Sequence, residues 1–156
     1  MFSCITLIAA DIAKLKLRLV LQDANGIWTE AQSPAFSPVL RKPNRYQTAP
    51  KFVEQWIVSK LIHGNTYVLK QYDNRGGQEQ GVVSSMYILD PTRVTPLVAE
   101  DGSVYYELKR DDLAAVPQER LVVPASEIIH DTMVALFHPL MGVSPLYACG
   151  VAATQG

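Results

Sequence analysis

Apolar and polar positions change period several times along this chain, and each change marks an expected element. From Phe2 to Ala13, Cys4, Ile5, Ile8, Ala9 and Ile12 recur at helical spacing with few polar residues between them. That pattern predicts a helix with most of its surface covered. It starts at Met1 without a capping residue, as expected of a segment that naturally extends further upstream. From Lys14 to Gln22 the period falls to two. Leu15, Leu17, Leu19 and Leu21 point one way and Lys14, Lys16 and Arg18 the other, the pattern of a half-buried strand. Asn25-Gly26 is a turn signal, and Ile27-Trp28-Thr29 is expected to close a hairpin. Ser33-Pro34 and Ser37-Pro38 both read as helix starts with proline just inside. One short helix ending near Arg41 is expected, stopped by Pro43-Asn44.

Thr48 reads as a cap, with Ala49-Pro50 opening the next helix. Phe52, Val53, Trp56, Ile57 and Leu61 form its apolar stripe; Lys51, Glu54, Gln55 and Ser59 form its wet side. Gly64 stands where a left-handed residue ends a helix. Strand patterns follow at Thr66–Tyr72, Met86–Leu89, Val94–Val98, Val104–Leu108, Leu121–Val123 and Ile128–His130. Turns are expected at Asn74-Arg75-Gly76-Gly77, Asp90-Pro91 and Asp101-Gly102, with a polar bend at Pro124–Glu127. After Gly142, Ser144 caps and Pro145 opens a further helix of about a dozen residues, a length that is marginal in isolation.

With 156 residues, 48% hydrophobic and 19% charged, the chain has the composition of one globular domain with a core. Its formal net charge of −1 disfavours autonomous binding to duplex phosphates, which asks for a clear positive excess. The two cysteines, Cys4 and Cys149, form no C-x-x-C pair and read as small apolar residues of a reducing compartment. The apolar run Met1–Ala10 lacks a preceding cation and meets Asp11 well before the ~20 residues of a membrane span. A buried helix, with neither a signal peptide nor a membrane partner, is the expected reading.

Several short pieces, each present once, stand in a fixed order along the chain. They are Cys4-Ile5-Thr6-Leu7-Ile8-Ala9, Leu15-Lys16-Leu17, Arg41-Lys42-Pro43-Asn44 and Phe52. His63-Gly64-Asn65-Thr66-Tyr67, Leu89-Asp90-Pro91-Thr92-Arg93-Val94, Glu127-Ile128-Ile129-His130 and Gly142-Val143-Ser144-Pro145-Leu146 follow. The ordered set spans nearly the whole chain and resembles bacteriophage portal proteins of the HK97-like siphophage group. The resemblance implies an α+β, wing-like domain of mostly antiparallel short strands with two or three helices. Residues 1–156 would be the N-terminal wing portion, ending before the stem helices, with stem, clip and crown expected beyond Gly156. It implies a structural part of the head–tail portal ring, through which the genome is packaged and ejected, with no enzyme activity, cofactor or metal. Implied partners are other portal subunits in a dodecameric ring, the terminase large subunit, the capsid protein, the head–tail adaptor and DNA in the channel. The implied location is the virion's portal vertex, after assembly in the bacterial cytoplasm. A degenerate prophage remnant without function is the alternative. The family's structural motif falls on Pro43, Asn44, Gly64, Asn65, Tyr67, Gly142, Ser144, Pro145 and Leu146. All suit shape more than chemistry: asparagine bonds its own backbone in turns, and glycine reverses it.

Other chemistry fails at a required position. Gly142-Val143-Ser144 begins like a nucleophile elbow, but Leu146 stands where that elbow needs glycine, so a small serine hydrolase is a remote reading. His63, His130 and His138 have no ligand spacing; His63 suits a helix C-terminus and His130 the end of a strand. Gly76-Gly77 lacks a following Lys-Ser or Lys-Thr. Asp111-Asp112 reads as a solvated turn. Two basic groups remain, Lys14, Lys16 and Arg18, and Arg41, Lys42 and Arg45 beside Tyr46. They suit contact with DNA or an acidic neighbouring subunit, though near-zero net charge favours plain solvated faces.

Overall fold

The computed structural model describes residues 2–34, 36–73, 81–114, 116–147 and 150, and its architecture is α+β. The expected turn at 74–77, Cys149 and most of the helix expected after Pro145 lie outside the described residues. Helix α1 (Phe2–Ala13) packs on α3 (Ala49–His63). Its buried stripe is Ile5, Ala9 and Ala13, four residues apart. The expectation of a mostly covered helix is corrected, since Phe2 and Leu7 are 77% and 63% exposed. A helix resting on one neighbour buries one stripe only.

α3 has the bounds that its termini signal. Thr48 is extended at the N-cap, Pro50 sits in the first turn, and Gly64 is left-handed with φ 76°. Its N–H closes the helix on the Lys60 carbonyl at 2.9 Å. Phe52 is buried, with Trp56 edge-on at 5.9 Å. Ser59 is not on the wet side. It is buried, because its hydroxyl donates to the Asn65 carbonyl at 3.0 Å. Between the helices, α2 is limited to Ser37–Arg41, and Ser33-Pro34 starts no helix of its own.

Two three-stranded antiparallel sheets carry the core. In one, β3 (Asn65–Asp73) lies between β4 (Val82–Leu89) and β8 (Ile128–Thr132). In the other, β6 (Val104–Asp111) lies between β5 (Val94–Val98) and β7 (Val116–Pro124), so the expected short strand at 121–123 is part of a longer one. Tyr67, Leu69, Leu89, Tyr106, Leu108 and Ile128 meet in the shared core. A tight 3-10 turn at Pro91–Arg93 joins the sheets. The Thr92 N–H and hydroxyl both donate to the Asp90 carboxylate, at 2.9 and 2.7 Å, which holds that carboxyl below its ordinary range.

The largest correction concerns Lys14–Gln22. Only β1 (Val20–Gln22) is a strand, paired with β2 (Trp28–Glu30) across Gly26 at φ 82°. Among the described residues, 16–18 have no partner strand, and Leu15 and Leu17 are 69% and 60% exposed. The alternation is real, but among the described residues no layer covers Leu15, Leu17 or Leu21. Conversely, β9 (Val134–His138) and β10 (Met141–Val143) form a hairpin that the pattern does not announce, with every residue of β9 exposed. Gly142 therefore lies in a strand and does not serve as a left-handed hinge.

Candidate functional site

The motif residues of the Gly64–Tyr67 and Gly142–Leu146 groups converge on one junction. Asn65 and Gly142, separated by 77 positions, face each other. The Asn65 side-chain amide donates to the Gly142 carbonyl at 3.0 Å, and its oxygen accepts the Gly142 N–H at 2.9 Å. Asn65 thus pairs with both backbone groups of one residue, as a neighbouring strand would. Its second amide hydrogen goes to the His63 carbonyl at 3.2 Å, and its oxygen also meets His130 Nε2 at 3.2 Å. All four hydrogen-bonding positions of this buried amide are used. The Gly64 carbonyl accepts the Met133 N–H at 2.8 Å, bringing the backbones of Gly64 and Gly142 together. A β-carbon on Gly64 would stand 2.6 Å from Ser144 N, and one on Gly142 would stand 2.8 Å from Met133 N.

Ser144 completes the junction. Its hydroxyl donates to the Leu61 carbonyl at 2.7 Å and accepts the Leu146 N–H at 3.1 Å. One side chain thus satisfies an orphan carbonyl at the end of α3 and starts the turn at Pro145. Both its partners are backbone groups, the arrangement of a cap. On the far side, Trp56 Nε1 and Lys60 Nζ both donate to Asp131, at 2.8 and 2.7 Å, tying α3 to β8.

His130 is read from the sequence as the end of a strand, with no place in the junction. It lies within β8 and does not end it. Its ring stacks on Tyr67 with centroids 4.3 Å apart, and the Tyr106 hydroxyl meets Nδ1 at 3.0 Å. Asn65 Oδ1 can only accept, so Nε2 carries the proton and Nδ1 accepts from Tyr106. Burial pushes the imidazole below its ordinary 6.5, with Asp131 pulling weakly the other way. The Tyr67 hydroxyl is pushed up to about 12, by burial first and then by Tyr106.

A pH dependence follows. The unfolded chain takes up the His130 proton at higher pH than the folded one does. His130 therefore contributes stability that is complete above about 6.5 and is lost as pH falls through the lower folded value. Chemical denaturation of the wild type should give lower stability at pH 5 than at pH 7. His130→Gln, less stable at neutral pH, should show a smaller drop. Equal drops in both would assign the pH dependence to other groups.

Pro43-Asn44 repeats the device at the free edge of β4. The Pro43 carbonyl accepts the Met86 N–H at 2.7 Å, and the Asn44 amide donates to the Met86 carbonyl at 2.9 Å. Asn44 Oδ1 accepts from Tyr46 N and Gln47 N, both at 2.9 Å, forming the turn itself. Asn65 alone, and Pro43 with Asn44, thus each engage both backbone groups of one distant residue.

The basic residues lie elsewhere and are all exposed. Lys14 pairs with Asp11 at 2.7 Å and Arg18 with Glu30 at 3.1 Å. Arg45 stacks over Tyr46 at 4.9 Å. Lys16 and Arg41 line one groove; Lys42 does not. Among the described residues no three His, Cys, Asp or Glu side chains are grouped to hold a metal ion. No helix among them is long and apolar enough to cross a membrane.

A fold of small sheets and paired helices, whose recurring residues are spent on joints, defines a structural α+β domain. The sequence profile described as phage portal protein matches residues 1–156, and the chain belongs to that family. A chain from the neck of an empty gene transfer agent particle, computed with C6 symmetry, shares the fold with TM-score 0.74 and 22% identity. That match covers 99% of this chain and 39% of the other. A chain from the virion of a native gene transfer agent particle gives TM-score 0.71 and 21% identity, covering 98% of this chain and 37% of the other. The present chain therefore spans well under half the length of these solved chains. An uncharacterised protein of Rickettsia conorii is 36% identical over 73 residues, 46% of this chain and 90% of that protein.

Proposed function

We propose that residues 1–156 form the outer wing of a portal ring, with stem, clip and crown supplied by further portal sequence. In that role the chain is structural. It helps to build the vertex through which DNA is packaged and released, without cofactor or catalysis. The carrying observation is the portal profile across residues 1–156, on a fold shared with chains from particle necks. Large exposed apolar residues such as Phe2, Leu7, Trp28, Leu136 and Phe137 suit a domain that is covered by neighbours in an assembly. The partners in this reading are other portal subunits, the terminase large subunit, the capsid protein, the head–tail adaptor and DNA. Lys14 and Arg18 already have carboxylate partners, which leaves Lys16, Arg41, Lys42 and Arg45 as the basic residues better placed to meet an anionic partner. The test is fractionation of particles from the native host by density, probed with an antibody to this chain. The chain should co-sediment with DNA-filled particles, and electron microscopy should place it at a single vertex. Its confinement to the soluble fraction while particles form without it would overturn the proposal and favour a remnant.

A further inference from the structure

An apolar groove of about 640 Å³ runs between the end of α1, residues 14–17, the end of α2 and the start of α3. Leu15, Leu17, Leu40 and Val53 line it. Leu15 and Leu17 remain mostly exposed, so the groove is an open trough. A small molecule seeks a site that encloses most of its surface. The charged side chains along the trough are not balanced. Lys14 is neutralised by Asp11, and Lys51 by Glu54. Lys16 and Arg41 line the trough with no ion-pair partner among the described residues.

The backbone beside the trough is also unfinished. Leu15, Leu17 and Leu19 alternate with Lys14, Lys16 and Arg18 in a strand pattern that leads directly into β1. The Ala31 N–H still reaches the Leu19 carbonyl at 2.9 Å, but there the pairing stops. The peptide groups of Lys16, Leu17 and Arg18 make no hydrogen bond among the described residues. A strand-competent sequence, an apolar trough and two unneutralised cations thus coincide over a few residues.

We propose that residues 15–19 accept an extended segment of a partner protein as an added strand. That segment alternates apolar with acidic residues. Its backbone pairs with the free peptide groups, its apolar side chains cover Leu15 and Leu17, and its carboxylates meet Lys16 and Arg41.

The test uses the intact chain and a fluorescent, end-capped peptide of alternating valine and glutamate, read by anisotropy and hydrogen exchange. The peptide should bind and protect the amides of residues 16–18. Replacing its glutamates by lysine should weaken binding roughly tenfold. N-methylating its pairing amides should weaken binding by a similar factor, roughly tenfold. The double variant Lys16→Glu, Arg41→Glu should prefer the lysine peptide, a gain of binding that loss of folding cannot mimic. Equal binding of both peptides, or indifference to N-methylation, would overturn the added strand. So would duplex DNA binding at these residues with no peptide bound.

Discussion

Gly142→Ala is expected to cost more than about 3 kcal/mol of stability, a loss that few single substitutions reach. Gly142 does not have a left-handed backbone. The cost comes from what its β-carbon would meet: Met133 N at 2.8 Å and the Gly64 carbonyl carbon at 3.1 Å. These are backbone atoms, already joined by the Met133 N–H to Gly64 carbonyl bond at 2.8 Å, so neither can swing aside as a side-chain tip would. Gly64→Ala should be at least as damaging. Its β-carbon would meet Ser144 N and the Val143 carbonyl carbon at 2.6 Å, and φ of 76° adds the left-handed penalty of roughly 1–2 kcal/mol. Gly102→Ala is the control. It has φ of 83° but nothing within 4 Å, so it should lose only the backbone term of roughly 1–2 kcal/mol. Denaturant titration followed by tryptophan fluorescence separates these outcomes. Equal losses at Gly142 and Gly102 would show that the two backbones do not meet as described.

Asn65→Ala should lose stability on the same scale, about 3–5 kcal/mol, for a different reason. The substitution removes every hydrogen bond of the side-chain amide. It strands the buried N–H of Gly142 and deprives His130 Nε2 of its acceptor. An unmet buried donor costs its full desolvation, roughly 1–3 kcal/mol, whereas a satisfied pair contributes less. Asn65→Asp tests direction. It keeps the acceptor for Gly142 N but can no longer donate to the carbonyls of His63 and Gly142. At neutral pH it should therefore rescue little of the loss. Near-wild-type stability of Asn65→Asp would mean that the donor half of the amide is dispensable.

Much of the fold was legible because its signals are local. Thr48, Pro50 and Gly64 bound α3, and Asn25-Gly26 and Asp101-Gly102 mark their hairpins through the backbone conformations those residues favour. The failures arose where the outcome depends on a distant layer. Leu15 and Leu17 carry a strand pattern, but among the described residues they stay 69% and 60% exposed. Ser59 is polar yet buried, because Asn65 offers it a carbonyl. Val134–His138 is exposed throughout, so its strand has no inside-outside rhythm to read. The site shows the same limit. From the sequence, Gly64-Asn65 read as one turn and Gly142 with Ser144-Pro145 as another, whereas Gly142 lies in a strand. That they shape one another across 77 positions is a tertiary fact. His130 was legible only as a strand residue, since its partners Tyr67, Tyr106 and Asn65 lie on other strands.

The junction also has a mechanical side. Ser144 is fastened to Leu61, Gly142 to Asn65, and Met133 to Gly64, all within the turn where α3 becomes β3. A pull on the chain past Pro145 reaches the Ser144 bond first, then that of Gly142 and then that of Met133, all held against the same turn. Because α3 is also tied to β8 through Asp131, the pull spreads at once into a helix and a sheet. A load applied at Pro145 is therefore shared between a helix and a sheet through this one joint.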